Sequence, residues 1–96
     1  MTDPTLLVLS SLAEGDKHGY AMMEDIARFA GARLGPGTLY GAIGRLEAQG
    51  WIQPAAGGDE RRKPYRLRAA GRRHLQAELA KLEAIVAAGR ARLEAK

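Results

Sequence analysis

Apolar residues recur at helical spacing over the first half of the chain, alternate over one short stretch, and return to helical spacing to the end. Asp3 followed by Pro4 marks a helix start. The carboxylate can meet free N–H groups, and proline suits the first turn, where no N–H bond is lost. This first helix should reach about Glu14 and stop at Gly15. Leu6, Leu7, Val8 and Leu9 make it apolar nearly all round, so it needs cover on two sides, and a second subunit is one candidate. Asp16 is placed to cap a second helix that starts near His18 and carries Tyr20, Met23, Ile26, Ala27 and Ala30 on its apolar positions. Gly31 and the stretch up to Gly37 break it. Thr38, after Pro36 and Gly37, is placed to cap a third helix running to Gln49, with Gly50 as its left-handed exit.

The third helix has two unlike faces. On a wheel of about 100° per residue, Leu39, Ala42, Ile43 and Leu46 form one stripe, while Tyr40, Gly41, Gly44, Arg45 and Ala48 lie opposite. Each glycine in an exposed helix interior costs roughly 1 kcal/mol relative to alanine. Either both are tolerated accidents, or small residues let the backbone approach a bulky partner while Thr38, Tyr40 and Arg45 reach past them.

After Gly50 the period shortens. Trp51 to Gln53 reads as a strand, Pro54 to Glu60 as a turn, and Arg62 to Leu67 as the return strand of a hairpin. Tyr65 and Leu67 share one face, Arg62, Pro64, Arg66 and Arg68 the other, and Pro64 marks an edge strand because it cannot donate to a ladder. From Ala69 onward one long helix is expected, about 36 Å in length. Leu75, Leu79, Leu82, Val86, Gly89 and Leu93 alternate spacings of four and three, a heptad seam with a gap at Gly89. The seam either packs on its own domain or, being longer than the body before it, meets a second copy of the chain.

Composition narrows the classes. The chain of 96 residues is 46% apolar, which suits one small domain: residues 1–68 as a helical body with its hairpin and 69–96 as the long helix, in one structural unit. With no cysteine there is no disulfide, thiol nucleophile or thiolate zinc site. His18 and His74 stand far apart without a carboxylate cluster, so no metal or cofactor is expected, and His18 is read as fixing the start of the second helix. No nucleophile and base stand at a recognisable spacing, and Asp59 with Glu60 reads as a solvated turn, so no enzyme is expected. No apolar run approaches the roughly 20 residues of a membrane span, and Asp3 and Pro4 interrupt what would be the basic leader of a signal peptide. The expectation is a cytoplasmic protein, associated with the nucleoid when on DNA.

Charge is unevenly placed. Within a formal net charge of +4, residues 1–44 carry −2 and residues 45–73 carry +5. Arg61 to Arg73 holds seven cations and no anion, which fits either a polyanion-binding surface or a solvated edge.

Three helices, a basic hairpin and a long helix, with the second and third joined as a helix-turn-helix, make the winged-helix order: mainly α with a small β-hairpin. The residues carry a more specific likeness. Leu6 to Leu9, then His18-Gly19-Tyr20, then Pro36-Gly37-Thr38-Leu39-Tyr40, then Arg45-Leu46-Glu47 with Gly50 and Ile52, then Arg61, Arg62, Tyr65, Leu67, Ala70, Gly71 and Arg72 stand in one order. Over residues 5–93 the chain resembles the PadR-like family of bacterial transcriptional regulators. The resemblance implies a homodimeric, usually repressing, DNA-binding protein whose last helix is exchanged against its partner. By position it implies Thr38, Tyr40, Gly41, Gly44 and Arg45 on the recognition helix and Arg61, Arg62 and Lys63 on the wing, with Arg66 beside them. Leu6, Leu7, Leu75, Leu79, Leu82, Val86 and Leu93 would form the dimer interface.

The chain also departs from the family. Arg68 stands where a threonine commonly caps the last helix, and Gly44 where a basic residue is frequent. Some members hold aromatic drugs with a tryptophan of the last helix, whereas residues 69–96 contain no Phe, Tyr or Trp.

The leading expectation is therefore a repressor that binds double-stranded DNA at an inverted-repeat operator as a homodimer. Two rivals stand beside it. One is a winged-helix module for protein interaction, its basic run serving solubility. The other is a ligand-gated sensor with an unknown small-molecule effector at the dimer seam, where Ala84, Ala87, Ala88 and Gly89 leave room. Among single residues, Tyr20 and Tyr65 read as core, Tyr40 as the tyrosine that touches a partner, and Trp51 as an anchor for the hairpin.

Overall fold

Asp3 accepts the Thr5 N–H at 2.9 Å and Pro4 opens the helix it caps, α1 (Pro4–Ala13). In a computed structural model, which describes residues 2–59 and 62–95, this helix is the centre of the molecule. Leu7, Val8, Leu9 and Leu12 are all buried, because α1 is covered by each of the other helices. The near-uniform apolar character of Leu6 to Leu9 thus reflects a central helix.

Of the two residues read at the second helix start, one takes the cap. His18, not Asp16, caps α2 (Gly19–Ala30), its Nδ1 accepting the Ala21 N–H at 3.3 Å. Asp16 instead turns outward to Arg66. Lys17 and His18 form a short strand, β1 (Lys17–His18), which the sequence pattern did not reveal. Gly31 ends α2 with φ of 65°, the left-handed exit that favours glycine.

The third helix, α3 (Pro36–Ala48), starts two residues before the expected cap. Gly35 is its N-cap and Pro36 takes the first helical position, so Thr38 lies within the first turn and caps nothing. Leu39, Ala42, Ile43 and Leu46 are buried as a single stripe, as the wheel predicted. Gly50, at φ 76°, turns the chain out of the helix.

The hairpin of β2 (Ile52–Pro54) and β3 (Pro64–Leu67) belongs to a three-stranded antiparallel sheet in the order β1-β3-β2. The return strand begins at Pro64 rather than Arg62. Nor is it an edge: Lys17 pairs with Tyr65 and His18 with Pro64, which makes β3 central. Proline is accommodated because it is the first residue of the strand, and its carbonyl still accepts the Ala55 N–H at 2.9 Å.

The chain ends in α4 (Ala69–Glu94), whose N-cap Arg68 provides no side-chain cap, as its replacement of threonine predicted. Gly71 lets α4 lie directly on the Trp51 carbonyl, and the Trp51 ring stacks on His74 with centroids 3.8 Å apart. Beyond that contact α4 leaves the body, and Leu79, Leu82, Ile85, Val86 and Leu93 are exposed, Leu93 by 88%. The molecule is accordingly elongated, 57 × 26 × 20 Å.

A polar cluster lies inside the body. The Ser11 hydroxyl donates to Asp25 at 2.7 Å, Lys17 donates to the Ser11 carbonyl, and Lys17 and Arg28 approach the Asp25 carboxylate at 3.9 and 3.6 Å. It ties α1, β1 and α2 together where apolar contact alone would leave their angle loose.

Candidate nucleic-acid interface

The buried stripe of α3 dictates what its other side presents. With Leu39 and Leu46 fixed in the core, Thr38, Tyr40, Gly41, Gly44 and Arg45 are all exposed. At Gly44 an added methyl would meet no atom within 4 Å, and at Gly41 only the Arg45 guanidinium at 3.6 Å. Neither glycine is therefore required by packing within the chain. Together they leave a shallow strip between Tyr40 and Arg45, with the Arg45 guanidinium lying beside Gly41. The Thr5 hydrogen bonds hold the Asp3 carboxyl below its ordinary range, and the Arg45 charge adds to the effect.

The wing stands beside this face. Arg62 and Lys63 are exposed, and the Arg62 N–H donates to the Asp59 carboxylate at 2.9 Å, which shapes the turn that carries them. Arg61, also expected on the wing, lies outside the described residues. Arg66 is exposed but engaged. Its Nε donates to Asp16 at 3.1 Å and its Nη2 at 2.8 Å, a two-pronged bond to the loop before β1. The guanidinium hydrogen bond holds the Asp16 carboxyl below its ordinary range and raises Arg66 above its own. That pairing offsets one of the four cations expected to meet phosphate, because β1 brings Asp16 alongside β3 across 50 residues of sequence.

Two aromatic expectations change with the structure. Tyr20 is 61% exposed and not part of the core, because α2 turns it away from α1. Tyr65 is half-buried against the core, and burial, followed by the nearby Glu47 carboxylate, pushes its hydroxyl pKa up. Tyr40 is 49% exposed on the face expected for it.

The residues expected at a dimer interface divide between core and surface. Leu7 and Leu75 are 6% and 5% exposed and are packed in the chain's own core, so they leave almost no surface for a partner. Leu6 is half-buried against the same core. Leu79, Leu82, Val86 and Leu93 remain exposed, joined by Ile85, which the strict heptad spacing passed over. Among the described residues no group of three or more His, Cys, Asp or Glu could hold a metal ion, and no helix is long and apolar enough to cross a membrane.

This geometry, an open helix face beside a basic hairpin, coincides with a family match. The model described as "Transcriptional regulator PadR-like family" matches residues 8–77, from inside α1 to the first turns of α4. The chain belongs to the PadR-like family.

Solved structures agree with this PadR-like assignment. A PadR family transcriptional regulator from Eggerthella lenta is 31% identical, with a TM-score of 0.79 over 96% of this chain and 82% of that one. A transcriptional regulator from Clostridium thermocellum is 27% identical, with a TM-score of 0.78 over 97% and 90%. A PadR family regulator from Clostridium difficile, 24% identical with a TM-score of 0.80 over 96% and 99%, shares the fold. Among curated proteins, an uncharacterised 37.1 kDa protein in transposon Tn4556 of Streptomyces fradiae is 46% identical over 76 residues. That match covers 79% of this chain, and only 22% of the relative's length.

Proposed function

We propose that this PadR-like chain is a DNA-binding repressor that acts as a homodimer on an inverted-repeat operator. The observation that carries the reading is the open face of α3, where Gly41 and Gly44 lie between Tyr40 and Arg45 without packing neighbours that would demand them. In a major groove the glycine strip admits close approach of the helix backbone to the duplex, while Thr38, Tyr40 and Arg45 reach base edges or phosphates. Arg62 and Lys63 on the wing, with Arg61 as the family resemblance implies, neutralise phosphates and supply salt-dependent affinity. Arg66, held by Asp16, ties down the strand that follows them.

Dimerisation is supported by the row of exposed apolar residues on α4. Leu79, Leu82, Ile85 and Val86 form a continuous patch of the kind that marks a protein interface. Pairing two copies through it gives a two-fold axis, and two-fold symmetry calls for half-site centres about one helical turn apart, roughly 34 Å. Occupying such a site within a promoter blocks transcription.

The test is selection of bound fragments from genomic DNA at physiological salt, followed by footprinting of the recovered fragment. Two symmetric protected half-sites are expected. Failure to enrich any duplex, together with a stable complex with a protein partner, would replace this reading with that of a protein-interaction module.

A further inference from the structure

Gly19 opens α2 without the positive φ that would call for glycine. Space calls for it instead. A Cβ at Gly19 would overlap the Tyr40 hydroxyl, come within 2.8 Å of ring carbon Cζ and 3.3 Å of Leu39 Cδ2. Gly19 is buried while Tyr40 is 49% exposed, so the tip of the ring rests on the first residue of α2 and the remainder lies open on the outer face of α3. The seat is itself anchored. His18 caps the first turn through Ala21 and pairs with Pro64 in the sheet, and Leu39, the neighbour of Tyr40, is fully buried.

We infer that Gly19 is a positioning residue for Tyr40: the missing side chain at the start of α2 forms the seat that fixes the direction in which α3 presents its aromatic ring to DNA. The inference rests on the proposed DNA-binding function and adds a residue outside the recognition helix to it. Holding a half-exposed ring in one rotamer before contact reduces the ordering that binding would otherwise require. Without the seat the same ring samples several directions.

The test compares wild type, Gly19→Ala, Tyr40→Ala and the double variant. Without DNA, NMR of tyrosine-labelled protein should show the Tyr40 ring resonances, assigned by their loss in Tyr40→Ala, displaced by Gly19→Ala, with those of Tyr65 in place. On the footprinted genomic fragment, Gly19→Ala should weaken binding about tenfold, comparably to Tyr40→Ala, and the double variant should bind no worse than Tyr40→Ala alone. Unmoved Tyr40 resonances, or losses that add in the double variant, overturn the inference. Should Gly19→Ala unfold, recovery of the unfolding midpoint in the double variant supports the seat, and continued unfolding overturns it. If wild type binds no duplex, the proposed function fails, while the resonances still decide whether Gly19 seats Tyr40.

Discussion

Gly71→Ala is expected to destabilise the fold even though helix propensity argues the opposite. Gly71 lies in the first turn of α4 without a positive φ, so alanine would favour the helix by up to about 1 kcal/mol. The surroundings reverse the sign. A Cβ there would overlap the Trp51 carbonyl oxygen and lie 2.9 Å from both the Trp51 carbonyl carbon and Leu67 Cδ1. That carbonyl belongs to backbone and already accepts the Arg68 N–H at 2.9 Å, so it cannot swing aside as a long side chain would. Overpacking of this kind costs about 1–3 kcal/mol, and weakening the Arg68 bond adds about 1 kcal/mol. Set against the propensity gain, the net loss is about 1–3 kcal/mol, or a fall in Tm of roughly 4–8 °C for each kcal/mol. Gly44→Ala is the control within a helix interior outside the α4 seam, since nothing lies within 4 Å of its added methyl, and it should be neutral or stabilising. Urea unfolding followed by far-UV circular dichroism, at one fixed protein concentration because association contributes to stability, separates the two. A Gly71→Ala protein as stable as wild type would show that α4 shifts freely on the sheet, and the reasoning from close approach would fall.

Asp25→Ala should cost about 2–3 kcal/mol in the same assay, since it strips the buried Ser11 hydroxyl and Lys17 of their shared carboxylate; an unchanged midpoint would mean that the cluster contributes no stability. Leu82→Asp with Val86→Asp alters two residues exposed in the single chain, so it should leave the fold intact and make the protein sediment as a monomer; a persistent dimer would move the interface elsewhere. Arg62→Ala with Lys63→Ala should lower the slope of log K against log salt by about 0.9 for each phosphate those side chains neutralise, and an unchanged slope would remove the wing from the interface. For pH, Asp3 has its folded pKa depressed, chiefly by the Thr5 hydrogen bonds, so its stabilisation is present above the unfolded value of 3.8 and lost as pH falls through the lower folded one. Asp3→Ala should accordingly lower stability by about 1 kcal/mol at neutral pH and flatten the acid limb of the stability curve; parallel curves would refute the cap.

The single chain leaves two surfaces open, one on α3 and one on α4. The first two turns of α4 anchor on Trp51 and Leu67, and its later turns expose Leu79, Leu82, Ile85 and Val86. In the dimeric reading, the same helix that joins two copies also sets the separation of their α3 faces. Changes to the seam should therefore alter operator spacing as well as association. The wing adds charge, and the bond between Arg66 and Asp16 ties its return strand to the loop before β1.

Much of this was legible in the residues because the relevant forces are local. Asp3-Pro4 starts α1, Gly31 and Gly50 end α2 and α3, and the stripe from Leu39 to Leu46 separates core from outer face, each through contacts within a turn or two of the chain. The exposed row on α4 was equally readable, since a heptad spacing describes one face whatever covers it. What only the tertiary structure decided depends on partners distant in sequence. A two-residue strand has no pattern of its own, so β1, the central place of β3 and the diversion of Asp16 to Arg66 emerge only when residues 50 apart are side by side. Leu7 and Leu75 show the same limit from the apolar side: periodicity states that a residue must be buried, and the packing of α1 against its neighbours determines by what.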